Sequence, residues 1–361
     1  MRSSRSAPLI SCWEKLIANL VGRIYAFFLG LLTRWGLPRP VFDFGGMIVA
    51  GFVVAIFIAL VVLYLIWMER KVSAHIQQRF GPMWTGWHGW LQTIADAVKL
   101  LMKEDLTPTN VDKAVFLTAP FVVFVPSIMA YLVIPFSATW IVRDLNIGIL
   151  YIFAITTLVV IGILMGGWSS NNKYSLLGGM RTAAQIISYE VPLVLSILGV
   201  VMLSGTLSMN GIVQAQGKWP WQWFWLPQIL GFLIYVTAAT AEVNRTPFDL
   251  PEGESELVGG FNTEYSGMKF AMFFLAEFAN FFLVAAIATT LFLGGWQPFT
   301  GLLGFICFMI KSMAVVWLMM VFRWTYPRLR VDQLMDFGWK ILVPLSFVNL
   351  FATSLIMALR K

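Results

Sequence analysis

At 361 residues, with 59% hydrophobic and only 12% charged residues, the chain departs far from soluble domains, in which about 25% of residues carry charge. A mean hydropathy of +0.78 excludes a water-soluble fold and leaves an all-α, polytopic integral membrane protein. The formal charge of +7 does not point to nucleic acid, because the 25 Lys and Arg residues cluster in short stretches between long apolar runs, as membrane topology requires.

The first ~45 residues read as an N-terminal extension. Its basic start, Met1 to Ser11, precedes an apolar stretch, Leu16 to Trp35, with no small-residue cleavage site between them, so the segment is expected to be retained. Arg23 near the middle of that stretch and the break Pro38-Arg39-Pro40 leave two readings, a ninth spanning helix or an interfacial one. From residue 46 to residue 361 the chain reads as one transmembrane helical domain. Eight segments are long and apolar enough to cross a hydrocarbon core of about 30 Å, at ~46–68, ~115–137, ~148–168, ~190–207, ~225–242, ~269–293, ~303–322 and ~339–358.

The connections after the odd-numbered spans, over residues 69–114, 169–189, 243–268 and 323–338, are the polar ones. Together with Lys340 they hold Arg70, Lys71, Arg79, Lys99, Lys103, Lys113, Lys173, Arg181, Arg245, Arg323, Arg328 and Arg330, against Arg143 and Lys218 alone after the even-numbered spans. That imbalance places the odd-numbered loops in the cytoplasm. Within the longest of them, Trp87, Trp90, Leu91, Ile94, Val98 and Leu101 recur at helical spacing opposite Gln92, Asp96, Lys99 and Lys103, which predicts a surface amphipathic helix with its Trp rings at headgroup depth.

Cys12 and Cys307 stand far apart, giving neither a metal-ligand spacing nor a disulfide framework. His75 and His88 share one hydrophilic stretch, so no pair of spans offers haem ligands, and the chain is expected to hold no redox centre of its own.

Three constellations carry chemistry. Six of the 18 acidic residues, Glu242, Asp249, Glu252, Glu254, Glu256 and Glu264, fall between positions 242 and 264. The flanking Pro247 and Pro251 with Phe248, Leu250, Leu257 and Val258 suggest a structured, partly buried loop, in which like charges raise one another's proton affinity; a solvated loop is the plainer alternative. Glu277 and Lys311 lie inside spans, and Glu190 and Glu242 near span ends, where charges usually face a bundle interior or a wet cavity. A static Glu277–Lys311 pair tying two helices together is the competing reading. Glu69, Arg70 and Lys71 close the first span, either as snorkelling anchors or as part of a cavity mouth.

Taken with Gln78 to Pro82, Leu100 to Asp105 (LLMKED), Gly167 to Gly178 (GWSSNNKYSLLG), Met180-Arg181, Ile187 to Glu190, Asn244 to Glu256, Asn262 to Phe270 (NTEYSGMKF) and Arg323 to Lys340, these residues resemble a family of membrane-arm proteins, the H-type subunits of bacterial respiratory complex I, the NADH:quinone oxidoreductase of the bacterial inner membrane. Val243 stands where many members have Thr. The resemblance implies a membrane subunit whose cytoplasmic loops help enclose a quinone chamber, with Glu69, Arg70, Arg79, Arg245, Phe248 and Asp249 as chamber residues. It also implies a proton path through Glu190, Glu242, Glu252, Glu254, Glu256, Glu264, Glu277 and Lys311. Quinone is then the substrate, NADH, FMN and iron–sulfur clusters belong to partner subunits, and the neighbours are the quinone-site and iron–sulfur hydrophilic subunits, small membrane subunits, antiporter-like subunits and lipid. A stand-alone secondary transporter using Glu277 and Lys311, or the homologous subunit of a membrane-bound hydrogenase, are the alternatives.

Overall fold

The computed structural model describes the backbone of residues 39–250 and 253–360, and the side chains of these apart from 39–48, 254, 255 and 360. The apolar stretch expected over Leu16 to Trp35 lies outside the described residues. Among those described, all regular structure is helical. In chain order the helices are α1 (Arg39–Ile76), α2 (Gln92–Met102), α3 (Lys113–Met129), α4 (Gly148–Ser169), α5 (Lys173–Ser204), α6 (Met209–Ala215), α7 (Ile229–Glu242), α8 (Glu254–Leu257), α9 (Gly267–Leu291), α10 (Gly301–Thr325), α11 (Val331–Asp336) and α12 (Val343–Arg360). A π-turn, Phe337–Leu342, joins α11 to α12 into one apolar stretch, Val331–Leu359.

Seven stretches among the described residues are long and apolar enough to cross a membrane. The remaining predicted span is α7, whose 14 residues cover about 21 Å at 1.5 Å per residue, short of a 30 Å core. Its two ends lie against the far end and the middle of α9. Before α7, the Trp225 backbone N–H donates to the Phe292 carbonyl at the far end of α9 (3.0 Å); after it, Arg245 meets Glu277, four turns back along α9. The residues ahead of α7 are turns, beginning with a 3-10 turn at Pro220–Gln222, with Trp219 and Trp221 exposed.

Helix α9 is the hub. Every residue from Phe281 to Phe292 is buried, the pattern of a helix that is apolar all round because it is enclosed all round. Tyr131 and Tyr235 fasten neighbours to it, donating their hydroxyl protons to the carbonyls of Ala279 (2.5 Å) and Val284 (2.8 Å).

The structure departs from the sequence reading at residues 173–189, expected within a loop. They form the first half of α5, a single 32-residue helix capped by Asn172, whose side chain accepts from the Tyr174 N–H. Hydropathy hides this half because most of its buried residues are small or polar, among them Ser175, Gly178, Gly179, Thr182 and Gln185. Thr182 bonds locally, to the Gly178 carbonyl (2.8 Å), Ser175 donates across to the Phe261 carbonyl (3.2 Å), and the small residues admit another backbone. A Cβ on Gly178 would stand 2.7 Å from the Gly260 Cα, so the turn Gly260–Asn262 sits in a notch of α5.

The amphipathic segment forms as predicted, as α2 behind a short turn at Trp87–Gly89. It packs on α1 through Trp90 against Tyr64 and Trp67, and through an Arg70–Asp96 ion pair of 2.6 Å, while Leu91, Ile94, Val98 and Leu101 stay exposed. The odd-numbered loops gather at one end: Asp105 pairs with Lys269, Asn172 with Glu264, and the Leu329 N–H bonds the Pro247 carbonyl. The even-numbered ones meet at the other, where Ile149 bonds Leu207 and Gln297 bonds Val213 and Gln216.

In a background without Cys12 and Cys307, a membrane-impermeant thiol reagent added to intact cells should modify Lys218→Cys and spare Lys173→Cys, as the imbalance of basic residues between the two ends predicts; the reverse pattern would invert the topology. Gly178→Ala, which drives a methyl group into the Gly260 backbone, should destabilise the protein by about 1–3 kcal/mol, read as earlier thermal unfolding in detergent.

Candidate functional site

Four charged side chains from four parts of the chain meet in the half of the bundle nearer the basic loops. Glu69 comes from the last turns of α1, Arg245 from the loop after α7, Glu277 from the middle of α9 and Arg323 from the end of α10. Glu69 accepts from both Arg245 (3.2 Å) and Arg323, and Arg245 reaches Glu277 at 3.1 Å. Arg245 is 4% exposed and Glu69 9%, and the Arg245 guanidinium lies 4.4 Å from the Phe278 ring centre and 5.2 Å from that of Phe281. Two positive and two negative groups thus balance inside an apolar shell. Arg245 arrives there because the chain turns back on itself after α7: Asn244 takes a positive φ of 53°, which Asn tolerates, and the Arg245 N–H bonds the Thr240 carbonyl (3.2 Å).

Behind Glu277 lie two small cavities. The first, of about 50 Å³, is lined by Glu277, Asn244, Asn280 and Glu242 among apolar groups. Glu242 and Asn280 also face the second, of about 30 Å³, together with Thr156 and Tyr235. Glu190, half-buried on α5, lies within electrostatic reach of Glu242. Three of the span carboxylates singled out in the sequence therefore occupy one region, although their helices are up to 87 residues apart (190 to 277).

The acidic loop is less uniform than its composition. Glu256 is exposed and pairs with Arg181 at 2.8 Å; that hydrogen bond, helped by the nearby Arg328, holds its carboxyl below the usual range. The sign is opposite to the one expected from crowding of like charges: Glu256 is ionised at neutral pH, because α5 and the 326–330 segment bring arginines to it. Arg328 also lies against Gly253 and the Leu250 carbonyl. Glu264 accepts from Asn172 (2.6 Å), and Asp249 is half-buried. Glu252, and the side chain of Glu254, lie outside the described residues.

Of the remaining predicted site residues, Phe248 is 6% exposed and packs between Tyr189 and Phe337, in the core rather than on an open wall. Gln185 straps its segment to α7, donating to the carbonyls of Ala241 and Phe248, each at 2.7 Å. Arg70 is spent on Asp96, and Arg79 is exposed and bonds Gln77 in its own loop. Lys311 is not paired with Glu277. Its ammonium donates to the carbonyls of Leu293 (2.8 Å), Gly295 (3.1 Å) and Gln297 (2.6 Å) and lies 3.8 Å from the centre of the Trp223 ring, at the opposite end of α9.

Sequence reasoning misses Arg323, which charge counting explains as an inner-loop residue, and the uncharged Asn244, Asn280 and Gln185. For Asn280 a signal exists: an amide in an otherwise apolar stretch of α9. The quoted loop motifs, by contrast, do come together. Lys269 pairs with Asp105 (3.1 Å), and Tyr265 stacks on Phe116 with ring centres 4.1 Å apart. Burial pushes the Tyr265 hydroxyl up to about 12, so this clasp does not titrate near neutral pH. Among the described residues no three His, Cys, Asp or Glu side chains gather as a metal site.

Known proteins share this chain's sequence over most of its length. A family model described as NADH dehydrogenase matches residues 49–354. The NADH-quinone oxidoreductase H-type subunit of Dehalococcoides mccartyi (strain CBDB1) is 56% identical over 299 residues, 82% of this chain and 83% of the relative. The protein of the same name from Bacillus mycoides (strain KBAB4) is 52% identical over 82% of this chain and 89% of its own, and that of Anoxybacillus flavithermus (strain DSM 21510 / WK1) is 51% identical over 84% and 93%. The matched region contains all four members of the buried charge cluster, and the chain belongs to the NADH dehydrogenase family that includes the H-type subunits of NADH-quinone oxidoreductase.

Proposed function

We propose that this chain is the membrane subunit of a proton-translocating NADH:quinone oxidoreductase in a bacterial inner membrane, and that it forms part of the quinone chamber and links quinone reduction to proton transfer. The observation that carries the reading is the Glu69–Arg245–Glu277–Arg323 cluster, at the loop end of a relative of the H-type subunits and close to the half-buried carboxylates Glu242 and Glu190. Electrons reach the quinone from NADH through FMN and iron–sulfur clusters held by hydrophilic partner subunits. These partners sit on the odd-numbered loops, and small membrane subunits and antiporter-like subunits flank the helices.

What this chain's residues do follows from their charges. Reduction to quinol leaves transient negative charge that two protons neutralise. A new anion beside a balanced cluster draws Arg245 and Arg323 toward itself, because guanidinium groups already share several acceptors. Glu277 is then left with less positive charge beside it and takes up a proton, which Glu242 and Glu190 pass along the membrane arm. Asp249, Glu252, Glu254 and Glu264 form the loop-side supply of protons. Glu256, held ionised by Arg181, tunes the local charge, and Lys311 fixes structure outside the path. Glu69, Arg70 and α2 border the entrance: α2 offers lipid and the quinone tail an apolar face, and Arg70 keeps that face against α1.

In the assembled complex, Glu277→Gln should lower quinone reduction and proton pumping together by at least about 10-fold while NADH oxidation by a soluble artificial acceptor is retained. Full turnover and pumping in reconstituted vesicles would remove Glu277 from the path. Arg70→Ala and Asp96→Asn should each raise the apparent KM for quinone by about 2–5-fold, as expected for losing a partly exposed pair, and the double variant should be no worse than either alone. Additive effects would mean that Arg70 acts on quinone without α2.

A further inference from the structure

Two cavities behind the charge cluster share a wall made in part by Glu242 and Asn280. Asn280 follows Glu277 by three residues on α9, so both project from the same face of that helix. The Asn280 amide is an unusual group at this place. A buried amide inside a membrane domain ordinarily bonds a neighbouring helix, yet its Oδ1 is sealed from the outside and finds no donor among the described residues; the same holds for Asn244 Oδ1 in the turn after α7. The two amides face the same cavity, with Glu277 on one side and Glu242 on the other.

Volume and chemistry both suit water. A water needs roughly 10–15 Å³ on this measure and two to four polar partners, against cavities of about 50 and about 30 Å³. The first offers Glu277, Asn244, Asn280 and Glu242. In the second, Tyr235 gives its proton to the Val284 carbonyl (2.8 Å) and Thr156 gives its own to the Phe153 carbonyl (3.2 Å), which leaves both oxygens as acceptors beside Glu242 and Asn280. The polar side chains facing the cavities thus offer acceptor oxygens, two of them the amide Oδ1 atoms left without a donor among the described residues, beside the amide N–H donors, and water, which both donates and accepts, suits such a lining.

We propose that Asn280 is a positioning residue for a short water chain through which Glu277 and Glu242 exchange a proton, and that water also continues past Glu242 into the second cavity. The carboxylic acid of Glu277 gives its proton to the first water, each water hands one on, and the Glu242 carboxylate receives the last; one proton moves and nothing is oxidised or reduced. An amide suits the post because it orients water without ionising, so it neither traps the proton nor adds charge to the balanced cluster. The inference rests on the reading of Glu277 and Glu242 as proton carriers.

The test uses the assembled complex in membrane vesicles. Asn280→Leu, which removes the acceptor and fills the cavity, should lower quinone reduction and pumping by at least about 10-fold with the apparent KM for quinone unchanged. The solvent deuterium isotope effect should rise, and Asn280→Ser, which keeps an acceptor and room for another water, should restore most of the rate. Native turnover, pumping and isotope effect in Asn280→Leu, with Glu277→Gln impaired, would overturn the water chain and leave the carboxylate path standing. Native behaviour in both variants would overturn the path itself and the inference with it. Should Asn280→Leu fail to assemble, a map of the native complex that resolves waters elsewhere in the membrane arm decides. Density within hydrogen-bond distance of Asn280 Oδ1 and on toward Glu242 supports the proposal, and cavities without it overturn it.

Discussion

The basic-loop end of the bundle depends on charge balance in a place where water does not provide it. Glu69, Arg245, Glu277 and Arg323 come from segments up to 254 residues apart, and each is tolerable there only because the others are. Losing one member of a buried ion pair costs about 3–5 kcal/mol, far more than an intact pair contributes. α1, the turn after α7, α9 and α10 must therefore keep common levels. The opposite end is held mostly by neutral amides: Gln216 bonds the Thr290 carbonyl, Gln297 that of Val213, and Gln228 bonds Thr353 while accepting from Asn349, with the Lys311 ammonium fixed by the carbonyls of a single turn. Neutral amides fix helices without responding to a distant charge. The charge cluster responds, since moving either arginine unbalances it.

This contrast gives the molecule a direction. Charge changes at the loop end act on groups with several alternative partners, whereas the opposite half gives a rigid reference against which they move. α9 crosses both regimes, carrying Glu277 and Asn280 near its middle and a fully buried apolar stretch beyond. Its enclosure keeps Glu277 in the protein interior and out of lipid.

How much of this is legible in the sequence depends on how each residue announces itself. Apolar runs announce spans, and all eight predicted segments are helical, including α7, whose brevity shows only in its backbone. The first half of α5 reads as loop because Gly178, Gly179, Ser175 and Thr182 look like loop residues, when Gly178 is there to let the Gly260 backbone approach and Gly179 to let α5 lie close to Gly167 of α4. Glu277 is conspicuous as a charge in a span, but its partner is not: whether Lys311 or Arg245 stands at its level depends on helix registers that no local pattern encodes. Arg323 is hidden by its place at the end of an apolar helix, where membrane proteins commonly put an arginine. The proton affinity of Glu256 is misjudged for a related reason, because sequence counts the acidic neighbours and not the arginines that folding delivers.

Lys311 has a bearing on how the chain enters the membrane. An ammonium exposed in the hydrocarbon region opposes insertion of its helix by about 2.5–3.5 kcal/mol. Here its acceptors, the carbonyls of Leu293, Gly295 and Gln297, lie only 14 to 18 residues earlier, in the turn that the emerging chain has just made. The hairpin of α9 and α10 therefore carries its own counter-dipoles, and the lysine is masked as soon as these two helices are side by side, before any later segment or partner subunit has arrived. Biogenesis of this region becomes a matter of adjacent helices entering as a pair, with α10 a poor insertion substrate by itself and a good one behind α9.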